Sequence, residues 1–257
     1  MDTPNPVRAA WSLLLARRAA PPREHGTGRS DHAGLEPVLR GLAGGGTPAL
    51  ARVQRDLDRY LNAGLAVDPA TLNRPEQLAY WINLYNAGAL NLAARAYAEG
   101  AASVLRVPGG FTERSFTIAG EQLSLDAIEH GKIRRFCDPR IHAALVCGSV
   151  SCPTLRYEPY QGDQFDSQLD EQMRRLLSAG GARLDRETQT VYLSRLFLWY
   201  GGDFVRPGRM PTWIPARPRT LVRALLPWLE QTETWLASGQ TNVEYQPYDW
   251  GLRCSVG

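Results

Sequence analysis

The longest helical pattern in this sequence follows Asn73, and it restricts the fold because other elements must cover its apolar face. Asn73 can cap the helix, Glu76 stands three residues later as in a capping box, and Pro75 suits the first turn. The pattern runs to about Glu99 and stops at Gly100. Its apolar stripe consists of Leu78, Trp81, Ile82, Tyr85, Ala89 and Leu92. We therefore predict a long helix over residues 75–99.

Two amides lie on this predicted helix. Asn83 and Asn86 are three residues apart, and Asn86 borders the apolar stripe. A buried amide must be hydrogen-bonded, or it costs about 1–3 kcal/mol. Two interpretations stay open: the amides brace a neighbouring loop, or they line a site.

The remaining helices and strands are mixed without a regular strand–helix–strand rhythm. This favours an α+β fold, with a mixed or antiparallel sheet packed against helices, over a doubly wound sheet. The other helices are predicted at residues 48–63, 124–133, 163–177 and 220–237, the last bent at Pro227. The strands are predicted as a hairpin at 116–118 and 122–125, a central strand at 141–147, and strands at 190–198 and 242–248.

Composition separates an N-terminal arm from one domain. Residues 1–46 are rich in Pro, Gly, Ala and Arg, so we predict a disordered or partly helical arm with a short helix near residues 6–18. Residues 47–257 are predicted as a single α+β domain.

No apolar run approaches the ~18 residues of a membrane span, and residues 9–16 are too short for a signal peptide, so we expect a cytoplasmic chain. The net charge of +3, with acids and bases interleaved, argues against nucleic acid.

The segment 142–156 is where the sequence predicts chemistry. It holds two of the four cysteines and one of the four histidines. An apolar run at 143–146 leads into a Gly/Ser turn, as when a buried strand delivers reactive side chains to the rim of a sheet. The candidate catalytic residues are Cys152 or Cys147 as nucleophile and His142 as base. All four cysteines are expected to be thiols in the cytosol.

The position of each thiol sets its expected chemistry. A regular strand would point His142 and Cys147 to opposite faces. Cys152 lies beyond the turn and could fold back to either face. It precedes Pro153, which suits the first position of a helix, and a helix N-terminus promotes the thiolate, although Pro159 allows only a turn or two. N–H groups of the turn could also stabilise an oxyanion.

Three interpretations of this segment compete. In the first, a thiol attacks a carbonyl, with His142 as base and an acid or amide orienting the imidazole. In the second, Cys147, Cys152 and His142 bind zinc, although the four-residue gaps between them are wider than in structural zinc knuckles. In the third, these are buried small residues around a tight turn.

Further residues are candidates for binding or orienting a substrate. They are Asn83, Asn86, Glu129, His130, Ser149, Ser151 and Arg156. A helical histidine beside an acid, as His130 is beside Glu129, is more often a surface group or a satisfied buried group.

The sequence resembles domain-of-unknown-function family 547 at these residues, and the resemblance covers roughly residues 50–252. It rests on six motifs in order. They are YWINLYN at 80–86, LSLDAIEHG at 123–131, DPRIH at 138–142, CGSVSCP at 147–153, the segment 194–204, and YDW at 248–250. The resemblance identifies a family but implies no established reaction. Members of the family are bacterial, often secreted or lipid-anchored, or stand behind coiled-coil regions in plants.

The resemblance implies a fold similar to papain-like and transglutaminase-like cysteine enzymes, in which a helix packs against a sheet carrying a histidine. Here the helix would be residues 75–99 and the histidine His142. Asn83 and Asn86 stand where such enzymes keep their cysteine, so either the thiol comes from the 147–152 turn or catalysis has been lost. In the plant pattern serine can replace Cys152, which keeps Cys147 as a candidate.

We therefore predict a cysteine-dependent acyl-group enzyme: an amidase, peptidase or acyl transferase. It would act on a small-molecule or peptide substrate and need no cofactor. The alternatives are a non-catalytic module that binds a protein or peptide, or a zinc site at the same residues. Neither nucleic acid nor a membrane is an expected partner, and the sequence sets no oligomeric state.

Overall fold

Two units make up the chain, and a computed structural model describes residues 22, 25–230, 233–238 and 241–257. The first unit comprises Met1–Phe136, Leu145–Asp166 and Asp249–Gly257. The second comprises Cys137–Ala144 and Ser167–Tyr248. The helix predicted near residues 6–18 lies outside the described residues.

The first unit is built around three helices: α1 (Glu36–Ala43), α2 (Leu50–Leu65) and α3 (Arg74–Ala98). The Asn73 side chain accepts the N–H of Glu76 at 3.1 Å, which confirms the predicted cap of α3. Helix α2 packs against both α1 and α3. Because α3 is buried on nearly all sides, it is the central element of this unit.

A hairpin and a short helix complete the regular structure of the first unit. Strands β1 (Phe116–Ile118) and β2 (Glu121–Leu123) pair antiparallel, as predicted. Helix α4 (Leu125–Gly131) follows, and Ser124 Oγ caps it by accepting the N–H of Ala127 at 3.1 Å. Gly88 allows the hairpin to approach α3, because a Cβ there would lie 2.7 Å from Phe116 Cζ.

The second unit contains short helices and a small mixed sheet. Its helices are α5 (Ile141–Ala144), α6 (Phe165–Leu176, which begins in the first unit), α7 (Arg195–Val205), α8 (Pro218–Leu225) and α9 (Thr234–Ser238). Its strands are β3 (Ala182–Asp185), β4 (Thr190–Leu193) and β5 (Asn242–Tyr245). In the order β3-β4-β5, β4 pairs antiparallel with β3 and parallel with β5.

Apolar side chains from the helices and the sheet form one core in the second unit. Its fully buried members include Ala143, Met173, Val191, Phe197 and Leu221. Helix α8 packs against both α7 and β5. The small mixed and antiparallel sheets packed with helices confirm the α+β class.

The predicted central strand at 141–147 is wrong. Residues 141–144 form α5, and residues 145–147 have no regular structure. Asp138 Oδ1 accepts the N–H of Arg140 at 3.0 Å, and the N–H of His142 donates to the carbonyl of Pro139 at 3.2 Å. These bonds begin a helical turn. The prediction failed because an apolar run this short has no periodicity that distinguishes a helix from a strand.

Three other boundaries differ from the sequence predictions. Strand β4 ends at Leu193, because Ser194 Oγ caps α7 by accepting the N–H of Leu196 at 3.3 Å. The helix predicted at 220–237 is interrupted by a 3-10 turn at Leu226–Trp228 that contains Pro227. No helix begins at Pro153, so Cys152 does not lie at a helix N-terminus.

Candidate active site

The loop at residues 145–156 brings the two candidate thiols together. Cys147 Sγ and Cys152 Sγ lie 2.9 Å apart, and both residues are half-buried. The backbone N–H of Cys147 donates to Cys152 Sγ at 2.8 Å, and Cys147 Sγ lies 3.0 Å from Ser149 Oγ. A chain of donors can therefore run from the Ser149 hydroxyl through the Cys147 thiol to the Cys152 sulfur. Both sulfurs and the Ser149 hydroxyl therefore belong to one hydrogen-bonded cluster within the turn.

Gly148 shapes the turn that brings the sulfurs close. Its φ of +77° is a left-handed conformation that favours glycine. A Cβ at this position would lie 3.2 Å from Ala93 Cβ and 3.4 Å from Val104 Cγ1. The turn thus packs closely against α3 and the segment after it, which a larger residue would prevent.

The segment 249–257 runs beside the thiol loop and occupies its backbone donors. The N–H groups of Val150 and Ser151 donate to the carbonyls of Gly251 and Asp249, at 2.9 and 3.2 Å. The Cys152 N–H donates to the Ser149 carbonyl at 3.1 Å. These three groups are bonded within the chain, and the expectation that N–H groups of the turn stabilise an oxyanion stays a prediction.

Ser151 also has a structural contact in this region. Its Oγ accepts the backbone N–H of Asp249 at 2.9 Å. The sequence analysis did not anticipate that residues 249–257 would border the loop. The only indication in the sequence was the YDW motif at 248–250, and the motif alone does not show which part of the fold it contacts.

Asn83 and Asn86 hold the two ends of a longer segment that contains this loop. Asn86 Oδ1 accepts the N–H of Val146 at 3.0 Å. Asn83 bonds both backbone groups of Tyr160, donating to the carbonyl at 2.8 Å and accepting from the N–H at 3.0 Å. Both amides are buried and brace the backbone at these two points, and their predicted role in lining a site stays a prediction.

Cys152 lines a shallow surface hollow with a volume of about 10 Å³, room for about one water molecule. Cys147 is not among the residues lining it. The hollow is mainly apolar, with a few polar residues from the segment 249–257. Its lining residues are Ala89, Leu90, Val146, Gly148, Cys152, Pro153, Leu155, Arg253, Cys254 and Ser255. Of the two paired thiols, Cys152 is thus the one that a ligand in the hollow would meet.

Cys254 is a third thiol in the same region, and its environment is different. It is buried, and its backbone N–H donates to Thr47 Oγ1 at 2.9 Å. Burial, with a smaller contribution from the nearby Cys147, raises the pKa of the Cys254 thiol to about 12. It therefore stays protonated at neutral pH, and it is a poor nucleophile.

His142 lies on α5 in the second unit, where it forms a buried pair with Asp203. Its Nε2 is 2.9 Å from Asp203 Oδ2, and the two side chains are 1% and 0% exposed. The ring stacks on Tyr200 with centroids 4.0 Å apart, and Asp203 Oδ1 accepts the N–H of Thr212 at 3.0 Å. A carboxylate that orients an imidazole and stabilises its protonated form is an arrangement found in general-base catalysis.

The sequence analysis missed Asp203. It lies near the end of α7, within the motif at 194–204, and only its acidic character in an apolar helix could have identified it. Because His142 belongs to the second unit and the thiols to the first, its predicted role as a base for either thiol stays a prediction.

Glu129 and His130 are tied into hydrogen bonds of the first unit. Glu129 Oε2 accepts the Tyr85 hydroxyl at 2.9 Å, and its Oε1 is 3.5 Å from His130 Nδ1. His130 Nδ1 also lies 3.2 Å from an Nη atom of Arg134, whose side chain is fully buried. These contacts match the interpretation of His130 as a satisfied group, and its predicted role in binding a substrate stays a prediction.

Arg156 is a buried cation at the end of the thiol loop. It forms an ion pair with Glu158, and its guanidinium lies 6.0 Å from the centre of the Tyr160 ring. It also borders a second surface hollow with Asn83 and Asn86. Its predicted role in orienting a substrate stays a prediction.

Two features of the described residues bear on the alternatives. In that part of the chain, no group of three or more His, Cys, Asp or Glu side chains is arranged to hold a metal ion, so the zinc interpretation has no support there. None of the helices among the same residues has both the length and the apolar character needed to cross a membrane.

Comparison with known proteins identifies a family but no characterised relative. Residues 69–177 match the family model described as "Protein of unknown function, DUF547". No curated protein matches the chain. No solved structure matches it either, so the implied papain-like fold is not borne out. The family match includes α3 and the thiol loop, so over residues 69–177 the chain is similar to the DUF547 family.

Proposed function

We propose that this protein is a cysteine-dependent acyl-group enzyme with Cys152 as its nucleophile. One observation carries the proposal: Cys152 Sγ accepts the N–H of Cys147 at 2.8 Å, lies 2.9 Å from a second sulfur, and lines an open hollow. The hydrogen bonds favour the thiolate, and the hollow gives a substrate access to it.

The chemistry follows from a thiolate at that position. The Cys152 sulfur attacks the carbonyl carbon of an amide or thioester, a C–S bond forms, and the carbonyl electrons move to oxygen. When this intermediate collapses, the amine or thiol leaves with a proton. Water or a second nucleophile then releases the acyl group from sulfur.

His142 remains the general base of this proposal, as predicted from the sequence. The Asp203 carboxylate fixes the ring orientation and would stabilise the imidazolium that forms when His142 takes a proton. Asn83 and Asn86 act as positioning residues, since each binds the backbone at one end of the segment that carries the thiols.

Alkylation with iodoacetamide tests the activated thiolate. We expect Cys152 to react at about pH 6–7 at least tenfold faster than a free cysteine. The exposed Cys137 is the internal control, and mass spectrometry after digestion separates its modification from that of Cys152. If neither Cys152 nor Cys147 reacts faster than free cysteine in this range, the enzymatic proposal fails. The non-catalytic protein- or peptide-binding module is then the better interpretation.

Two further measurements test the base and the reaction. In a His142→Asn variant, we expect Cys152 alkylation near neutral pH to slow by about tenfold while Cys137 is unaffected. An unchanged rate would remove His142 from the mechanism. Incubation with short-chain acyl thioesters should leave an acyl group on Cys152 in the wild type and none there in Cys152→Ala. The absence of acyl transfer to Cys152 from every thioester and activated ester tried would contradict the assignment.

A further inference from the structure

We propose that Cys147 and Cys152 form a reversible disulfide, which makes the thiol loop a site of redox modification. Their sulfurs are already 2.9 Å apart, so bond formation requires them to approach by only about 1 Å. Both residues are half-buried, so a small oxidant can reach the loop. This modification is distinct from acyl transfer, and it needs no substrate.

The loop around the two sulfurs can accommodate the bond. Gly148 lies between the cysteines with a φ of +77°, in a turn that already directs the two side chains towards each other. The two asparagine anchors lie outside the pair, where Asn86 binds Val146 and Asn83 binds Tyr160. A small closing movement of the sulfurs would leave these anchors in place.

The neighbouring thiol is a poorer partner. Cys254 is only 5% exposed, and burial raises its pKa to about 12. A protonated, enclosed thiol neither attacks an oxidised sulfur readily nor meets the oxidant itself. Cys147 and Cys152 are therefore expected to form a disulfide with each other more readily than either does with Cys254.

Hydrogen peroxide is the oxidant class that balances the reaction. The Cys152 thiolate attacks one peroxide oxygen, an S–O bond forms, the O–O bond breaks, and hydroxide leaves and is protonated to water. The Cys147 thiolate then attacks the Cys152 sulfur, the S–S bond forms, and the S–O bond breaks with loss of a second water. Two thiols lose two electrons and two protons, and one peroxide becomes two waters. A dithiol reductant reverses the change.

Trypsin makes the test direct, because both cysteines fall in one peptide. Cleavage after Arg140 and Arg156 releases residues 141–156 with both thiols, while Cys137 and Cys254 fall in separate peptides. The full-length reduced chain is treated with dilute hydrogen peroxide, denatured, alkylated with iodoacetamide and digested. We expect peptide 141–156 to lose two hydrogen atoms and to escape alkylation. This should occur about tenfold faster than oxidation of Cys137, and dithiothreitol should reverse it.

Matched variants identify which sulfur atoms form the disulfide. In Cys147→Ser, Cys152 should accumulate as a sulfenic acid that dimedone traps, because its partner sulfur is gone. Cys254→Ser should form the same disulfide within peptide 141–156 as the wild type. If Cys147→Ser does not fold, the wild-type and Cys254→Ser measurements still decide the outcome.

Several results would overturn the inference. One is alkylation of both thiols at peroxide doses that have already consumed Cys137. Others are a bond between Cys147 and Cys254, or disulfide-linked dimers in place of the internal bond. The readout is the covalent state of the peptide, so it can succeed where acyl transfer fails, and acyl transfer can be found where no disulfide forms.

Discussion

Each unit of the molecule buries a histidine, and the two histidines have different partners. His32 in the first unit is 5% exposed, and its Nδ1 lies 2.9 Å from the Tyr60 hydroxyl. Burial lowers the pKa of His32 to about 4, against a smaller opposing effect from Asp31. His142 in the second unit is 2% exposed, but its Nε2 meets the carboxylate of Asp203.

The comparison teaches that the partner, more than the degree of burial, decides what a buried imidazole can do. The Tyr60 hydroxyl contacts Nδ1 of His32 but offers no negative charge, so the ring stays neutral. A buried carboxylate can stabilise a proton on His142, so that ring is suited to accept one. We therefore interpret His32 as structural, whereas the catalytic role of His142 is a proposal that its contact with Asp203 supports.

The largest expected effect comes from removing the carboxylate. Asp203→Ala should lower the free energy of unfolding by about 3–5 kcal/mol, because it leaves buried polar groups without the partner they contact. Urea denaturation measures this loss. Glu187→Ala, an exposed acid in the same unit, should change stability by less than about 0.5 kcal/mol. Equal effects of the two substitutions would show that His142 and Asp203 are no more coupled than surface groups.

The next largest expected effect is the dependence of folding stability on pH that His32 confers. Its folded pKa of about 4 lies below the usual 6.5, so the unfolded state binds more protons between these values. Stability should therefore fall as pH drops from about 6.5 to 4, by at most about 1.4 kcal/mol per pH unit from this residue.

A His32→Gln variant isolates that contribution. The difference in unfolding free energy between about pH 7 and pH 4.5 should be smaller in this variant by about 2–3 kcal/mol. Carboxylates titrate in both proteins, so the comparison cancels their share. Parallel pH profiles for the two proteins would mean that His32 is not held neutral by burial.

The hydroxyl partner of His32 should contribute less. Tyr60→Phe removes the group that faces Nδ1, and we expect a loss of about 1–2 kcal/mol in unfolding free energy. Tyr97→Phe, an exposed tyrosine in the same unit, is the matched control and should have almost no effect. A neutral result for both would show that water can replace the Tyr60 hydroxyl.

The smallest effect concerns the ring that stacks on His142. Tyr200→Leu keeps an apolar side chain but removes the parallel contact at 4.0 Å, and we expect a loss of about 1 kcal/mol. Leu198→Ala on the same helix is the control, since Leu198 is 40% exposed. If Tyr200→Leu costs no more than this control, the stacking does not stabilise the His142 environment.

Local signals predicted part of the fold well. Helix α3, the hairpin and the start of α4 carry their own caps, stripes and turn residues, and each was found where the sequence predicts it. The strand at 141–147 was wrong because a short apolar run has no period that separates helix from strand. The bond between Asp138 and Arg140 that begins α5 was not recognised in the sequence.

The candidate site, like the fold, was predicted from the sequence only in part. The sequence indicated the thiol turn because Cys147, Gly148 and Cys152 are close along the chain. It could not indicate Asp203, which lies 61 residues from His142, or the segment 249–257 beside the loop. Such contacts depend on tertiary packing, which a single sequence without aligned relatives does not display.

The two asparagines of α3 have a consequence for how this loop can change. Asn83 and Asn86 are separated by less than one helical turn, a rise of about 5 Å, yet they tie down the chain at Val146 and Tyr160. Residues 147–159 must therefore leave the surface of α3 and return to it at nearly the same position. Insertions or exchanges between those points would alter what the loop presents to its surroundings while the helix beneath stays as it is. The path of this loop is thus fixed at both ends by one short stretch of a buried helix.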